Sequence, residues 1–180
     1  ERFDDEFGWG RLKIEAAKYY ANIVLPFGAQ VNKAIEAISG LDIDIIAPSH
    51  GLIWRSNIKD IIGLYKKWAN NVCEKKAVIV YDTMWHSTEK IAYAIKDVFE
   101  EKDIPCEIRN LQVSHISDVM TSILDAKYIC IGSSTLNNGV LPTVSAFLTY
   151  LKGLAPKNRV GVAFGSYGWG GQSVSDIENI

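Results

Sequence analysis

Three short stretches of this chain gather groups that bind a ligand rather than cleave one. The first, Asp82-Thr83-Met84-Trp85-His86-Ser87-Thr88, holds three hydroxyls and a run of backbone N–H groups where an apolar segment gives way to a helical pattern. N–H groups at a helix start, helped by hydroxyls, bind a compact dianion such as a phosphate without a lysine. Taken alone, Ser87 or Thr88 is better explained as an ordinary helix cap. The second stretch, Ser133-Ser134-Thr135-Leu136-Asn137-Asn138-Gly139, offers small polar groups and a flexible glycine. The third, Gly165-Ser166-Tyr167-Gly168-Trp169-Gly170-Gly171, carries two aromatics on a glycine-rich frame. Any one of these turns is commonplace. Together they suit a flat polar heterocycle with hydrogen bonds at its edge and an aromatic over its face, as an isoalloxazine ring requires.

The elements that must place these stretches follow from periodicity. Residues 77–81, 106–111, 128–132 and 160–164 read as strands, and 88–102, 116–126 and 142–154 as helices, with a further helix beginning after Gly171. Apolar runs such as Val78-Ile79-Val80 and Tyr128-Ile129-Cys130-Ile131 are expected to be buried on both faces, as in a parallel sheet covered by helices. This is a doubly wound α/β pattern, in which ligands bind beyond the C-terminal ends of the strands near the switch point. The three stretches follow the first, third and fourth strands. A five-stranded order would need one more strand and helix, so the domain reads as truncated at its C-terminal end.

The first seventy-odd residues have a different rhythm. Leu12, Ala16, Tyr19, Tyr20, Ile23 and Val24 predict an amphipathic helix over 11–27 ended by Pro26, and a second helix is expected over 29–38. Residues 43–47 read as a short buried strand ending at Pro48, and Asn57 as the N-cap of a helix running through Trp68 to about Val72. The charged Glu74-Lys75-Lys76 marks the expected boundary between two domains, 1–74 and 75–180.

Nineteen Lys and Arg against twenty-one Asp and Glu give a formal charge of -2, which provides no basic field for nucleic acid or anionic membrane. No apolar run approaches the ~18 residues of a membrane span, and the acidic start, Glu1 to Glu6, is unlike a secretory signal. Cys73, Cys106 and Cys130 are odd in number and in no C-x-x-C spacing, which fits reduced thiols in the cytoplasm. Neither G-x-x-x-x-G-K-[ST] nor a G-x-G-x-x-G after the first strand occurs, so P-loop and dinucleotide readings fall. Asp4, Asp5 and Glu6 read as a solvated surface, His115 as a surface residue, and Trp54, Trp68 and Trp85 as packing.

TMWHST, SSTLNNGVLPT and AFGSYGWGG resemble the three FMN loops of the flavodoxin superfamily and, more narrowly, of the flavodiiron proteins, also called A-type flavoproteins. Upstream, YYANI, PSHG and IW resemble the last part of that family's metallo-β-lactamase-like αββα domain. The resemblance covers nearly the whole chain. It implies that Thr83, Met84, Trp85, His86, Ser87 and Thr88 hold the FMN phosphate, and that Ser134, Thr135, Leu136, Asn137, Asn138 and Gly139 meet the ribityl chain and ring edge. It further implies that Ser166, Tyr167, Gly168, Trp169, Gly170 and Gly171 wrap the ring, with Trp169 the candidate ring contact.

The same resemblance implies a non-haem diiron centre that reduces dioxygen to water, nitric oxide to nitrous oxide, or both, with electrons arriving through FMN from a rubredoxin-like or other donor. His50 in PSHG matches the family's final histidine ligand, and imidazole suits divalent iron. The other ligands, an H-x-E-x-D-H motif, a further histidine and an aspartate, belong upstream of the residues present. Leu52 stands where the family often has a proline after HG. A head-to-tail homodimer is implied, placing one subunit's FMN beside its partner's irons. The alternative is an FMN electron carrier with no catalysis of its own; a quinone or azo-compound reductase on the same fold is a weaker third. Without an upstream sandwich to pack on, the first helices are expected to leave apolar faces exposed, making the isolated segment marginally stable and prone to association.

Overall fold

A computed structural model describes residues 2–180, so Glu1 lies outside the described residues. The elements run α1 (Trp9–Tyr19), a π-helical turn (Tyr20–Val24), a 3-10 turn (Leu25–Phe27), α2 (Gly28–Ile38), α3 (Ile58–Ala69), β1 (Glu74–Asp82), α4 (Ser87–Glu100), β2 (Cys106–Asn110), α5 (Ile116–Ile123), β3 (Ala126–Ser134), α6 (Pro142–Leu154), β4 (Val160–Ser166) and α7 (Gln172–Glu178). The four strands form one parallel sheet in the order β2-β1-β3-β4. The expected doubly wound alternation is therefore present, and its switch point lies between β1 and β3.

Side-chain alternation along β1 assigns the two faces. Val78 and Val80 join a core with Val119, Met120 and Phe147 of α5 and α6, whereas Ile79 and Tyr81 meet Ala92 of α4, Cys130 and Phe164 on the other. Both faces are covered, which is why the run is apolar at every position. β4 is an edge strand, as is β2, and Val160 and Val162 of β4 are exposed. Burial pushes the thiol of Cys130 up to about 12 and that of half-buried Cys106 up to about 11.

Several expectations for the first seventy residues are corrected. The strand expected over 43–47 is a single antiparallel bridge, Ile46 with Trp54, because no neighbouring edge extends the ladder and Ile45 faces solvent. The helix expected over 11–27 begins at Trp9 and changes to π and 3-10 geometry after Tyr19, as Pro26 cannot donate to a continuing α-helix. The helix expected to reach Val72 ends at Ala69, where Asn71 turns to φ 50. Glu74-Lys75-Lys76, expected to precede the first strand, form its start.

Asp4 is not part of a solvated surface. It is buried, and its carboxylate accepts from the backbone N–H groups of Arg55, Ser56 and Asn57 at 2.9, 3.2 and 2.7 Å and from Asn57 Nδ2 at 2.9 Å. Burial alone would raise its pKa, but these donors outweigh it and hold the group below the usual carboxylate value. Asn57 does stand at the N-cap of α3, yet its side chain caps nothing and instead donates to Asp4. Asp5 pairs with the Arg55 guanidinium.

The segment before β1 shares its core with the sheet. Tyr20, Ala21, Leu25 and Trp68 belong to the same buried cluster as Val78, Val80 and Phe147. Asn22, inside the π turn, donates to Ser117 O at 3.1 Å and accepts from Tyr150 Oη at 2.8 Å, fastening the segment to α5 and α6. Lys18 adds an exposed ion pair to Asp118.

Candidate functional site

The loops after β1, β3 and β4 meet at the C-terminal end of the sheet. Parallel pairing sets Asp82 opposite Ser133, and Ser134 opposite Ser166, so the three loops depart side by side. Thr88, completely buried in the first turn of α4, caps nothing. Its hydroxyl lies 3.0 Å from Ser134 Oγ and 2.8 Å from Ser166 Oγ, and those two are 3.3 Å apart. One hydroxyl from each loop thus forms a shared cluster. The N-cap of α4 is His86, at φ 62, so neither Ser87 nor Thr88 fills the ordinary capping role.

Thr83 is only 4% exposed, and its hydroxyl has no hydrogen-bond partner among the described residues. An unpaired buried hydroxyl is costly, and an incoming phosphate oxygen would satisfy it. The 14-residue helix α4 begins just beyond, with its free N–H groups and positive dipole end. His86 Nδ1 lies 2.7 Å from Glu89 Oε2, while Tyr81 donates its hydroxyl to Glu89 Oε1 at 2.7 Å. Those two contacts, Tyr81 first, hold the Glu89 carboxyl below its usual range, and burial with the nearby Glu89 raises the Tyr81 phenol.

In the second loop Leu136 and Gly139 exchange backbone hydrogen bonds at 3.0 Å around Asn137 and Asn138, at φ 50 and 62. This is a two-residue turn with both central residues left-handed, a conformation that Asn tolerates. The Asn pair, not the glycine, thus takes the strained backbone. Thr135 donates its hydroxyl to Ser173 Oγ at 2.9 Å and its N–H to Ser166 O at 2.8 Å, tying the second loop to the third. A side chain at Gly165 would meet Ser133 O at 2.5 Å, so this close approach requires glycine.

Aromatic groups stand around this end of the sheet. Trp85, expected to pack, is instead 83% exposed, because it stands at the tip of the loop after β1; Trp169 is fully exposed and Tyr167 largely so, its ring passing close to Gly171. All are free to lie against a planar ligand. The donor set is neutral, flat-edged and adjacent to exposed aromatic rings, and it fits FMN: hydroxyls and N–H groups for the phosphate, small polar groups for the ring edge, aromatics for its faces.

His50 lies elsewhere. It lines an apolar groove of about 600 Å³ with Leu12, Val31, Ile35, Trp54 and Tyr65, its ring 6.1 Å from that of Tyr19. Among the described residues no three His, Cys, Asp or Glu side chains gather closely enough to hold a metal. No such cluster forms around His50 among the described residues. His115 caps α5, its Nδ1 accepting from Ser117 N at 3.2 Å.

Sequence reasoning missed Gln112 and Thr143 beneath the first loop and gave Asp82, the first residue of that stretch, no role of its own. Asp82, just 5% exposed, accepts from Thr83 N and from Gln112 Nε2, each at 2.6 Å, and from the Thr143 hydroxyl. The available signal was an acid closing an otherwise apolar strand.

Comparison with known proteins agrees with this geometry. The Flavodoxin family model matches residues 79–180, more than half of the chain. A nitric oxide reductase of Moorella thermoacetica is 48% identical over 179 residues, covering 98% of this chain and 45% of the relative. The solved rubredoxin oxygen:oxidoreductase of Desulfovibrio gigas superposes with a TM-score of 0.95 at 39% identity, over 99% of this chain and 46% of that one. The flavodiiron protein of Giardia intestinalis gives a TM-score of 0.94 at 32% identity, over 98% and 44%. The chain thus spans less than half the length of these relatives.

Proposed function

This chain belongs to the flavodoxin family, and from that premise we propose that it is the FMN-carrying part of a longer flavodiiron reductase. The whole protein reduces dioxygen to water, nitric oxide to nitrous oxide, or both, at a non-haem diiron centre. The observation that carries this reading is the meeting of Thr88, Ser134 and Ser166 from three loops beside the unpaired hydroxyl of Thr83. FMN bound there supplies one- and two-electron transfer.

The chain's own residues hold and orient the flavin. Thr83 and the start of α4 take the phosphate, the Asn137-Asn138 turn lies along the ring edge, and Trp85, Tyr167 and Trp169 cover ring faces. Residues 1–74 form the end of a metallo-β-lactamase-like domain and 75–180 an incomplete flavodoxin-like domain. His50 serves as one iron ligand, with the rest supplied by the longer protein. The match to relatives named nitric oxide reductase and rubredoxin-oxygen oxidoreductase supports both gases as substrates and a rubredoxin-like donor. Exposed aromatic loop tips support a head-to-tail homodimer that brings FMN to the partner's irons. No helix among the described residues is long and apolar enough to cross a membrane, and all three cysteines are free, which supports a cytoplasmic location.

The test is metal analysis of the full-length protein followed by donor-driven gas consumption. About two irons per chain and turnover of dioxygen or nitric oxide are expected. Bound FMN with no iron after reconstitution, and no gas consumed, would leave an electron carrier in place of the reductase.

A further inference from the structure

Asp82 is the last residue of β1, and it sits directly beneath the loop that receives the phosphate. A carboxylate this deeply buried needs donors around it, and every donor it has is neutral. Its Oδ1 accepts the Thr83 N–H at 2.6 Å and Gln112 Nε2 at 2.6 Å, and its Oδ2 accepts the Thr143 hydroxyl. Gln112 Nε2 donates a second time, to the Thr83 carbonyl at 2.8 Å. Among the described residues no cation pairs with Asp82.

The consequence falls on Thr83. Its N–H is taken by Asp82 at the end of β1 and its C=O by Gln112 in the loop after β2, while Thr143 from the first turn of α6 holds Asp82 in turn. Of the polar groups of Thr83, the hydroxyl alone has no partner among the described residues. A backbone pinned on both sides lets that hydroxyl meet a ligand without first being ordered, and such preorganisation strengthens binding.

We propose that Asp82, with Gln112 and Thr143, is a positioning group for the flavin phosphate, acting through Thr83 and leaving the ring half of the site untouched. The proposal rests on the FMN reading above. It also fixes a sign for charge. A buried carboxylate near a phosphate dianion repels it, so the useful property of Asp82 is its directed acceptor and not its charge. Asp82→Asn keeps an oxygen for Thr83 and Gln112, turns an amide toward the Thr143 hydroxyl, which rotates to accept, and removes the repulsion.

The experiment strips flavin from the full-length protein and titrates it separately with FMN and with riboflavin, which lacks the phosphate. Tighter binding of FMN than of riboflavin by the unaltered protein is the premise; no FMN binding at all would overturn the flavin reading itself. Asp82→Ala is expected to weaken FMN by about 10- to 100-fold and riboflavin by less than about threefold. Asp82→Asn is expected to bind FMN at least as tightly as the unaltered protein. Gln112→Ala, a change at an exposed residue that leaves the core intact, is expected to weaken FMN by about three- to tenfold with riboflavin unchanged, and it carries the test if Asp82→Ala does not fold. Equal losses for FMN and riboflavin, no loss for either, or an Asn variant as weak as the Ala variant would overturn the proposal.

Discussion

Thr83 and Thr88, five positions apart, show how differently the same side chain is used. Thr88 is buried with its hydroxyl shared between Ser134 and Ser166, whereas Thr83 is buried with its hydroxyl unpaired. Replacing Thr88 by Val leaves two hydroxyls short of a partner and should cost the flavin-free protein about 1–3 kcal/mol. Replacing Thr83 by Val removes a buried group that had nothing to bond, so the flavin-free protein should be unchanged or slightly more stable, while FMN affinity falls about tenfold. Thermal melts without flavin and FMN titrations separate the two effects. A Thr83→Val protein that is less stable yet binds FMN normally would show the hydroxyl to be structural.

At the level of elements, α3 is started by a residue more than fifty positions upstream. Asp4 gathers the N–H groups of Arg55, Ser56 and Asn57, and its folded-state pKa lies below the usual carboxylate value. Its contribution to stability is therefore present above the unfolded pKa of about 3.9 and is lost as pH falls through the lower folded value. Asp4→Asn should destabilise the protein by about 1–3 kcal/mol at neutral pH, and melts of the two proteins should converge toward pH 3. A constant gap across that range would contradict the assignment. This long-range cap also shows what a sequence can convey. The strands and helices after residue 76 were legible because apolar runs and helical periods agree with the sheet that buries them, and the hydroxyl, Asn and Gly stretches fall at strand ends. Asp4 was not legible, because an acid near a chain start looks the same whether solvated or bonded to a distant turn. Residues 43–47 misled because apolar content does not supply a pairing edge. Gln112 and Thr143 reach Asp82 only through the tertiary fold.

For the whole molecule, one core runs from Tyr20, Leu25 and Trp68 through Val78 and Val80 to Phe147. The part before β1 is held by that core and by Asn22, so it should not unfold separately. Leu25→Ala, at a buried site of this cluster, should cost about 2–5 kcal/mol and lower the melting of the strand-end loops along with that of the helices. Tryptophan and flavin fluorescence should report one shared transition; two separated transitions would mean independent parts. The opposite face of α1, α2 and α3 carries the apolar groove, with Ile14, Tyr19 and Ile23 also exposed. The 180-residue segment expressed alone should therefore associate as its concentration rises, seen as growing size in light scattering.

The central claim is that the strand-end loops of this domain hold FMN. Flavin released from full-length protein purified without added cofactor, and identified by chromatography and mass, tests it most directly. FMN in stoichiometric amount is expected, and less of it from the Asp82→Ala protein. A protein that carries no flavin, and takes up none when FMN is supplied, would contradict it.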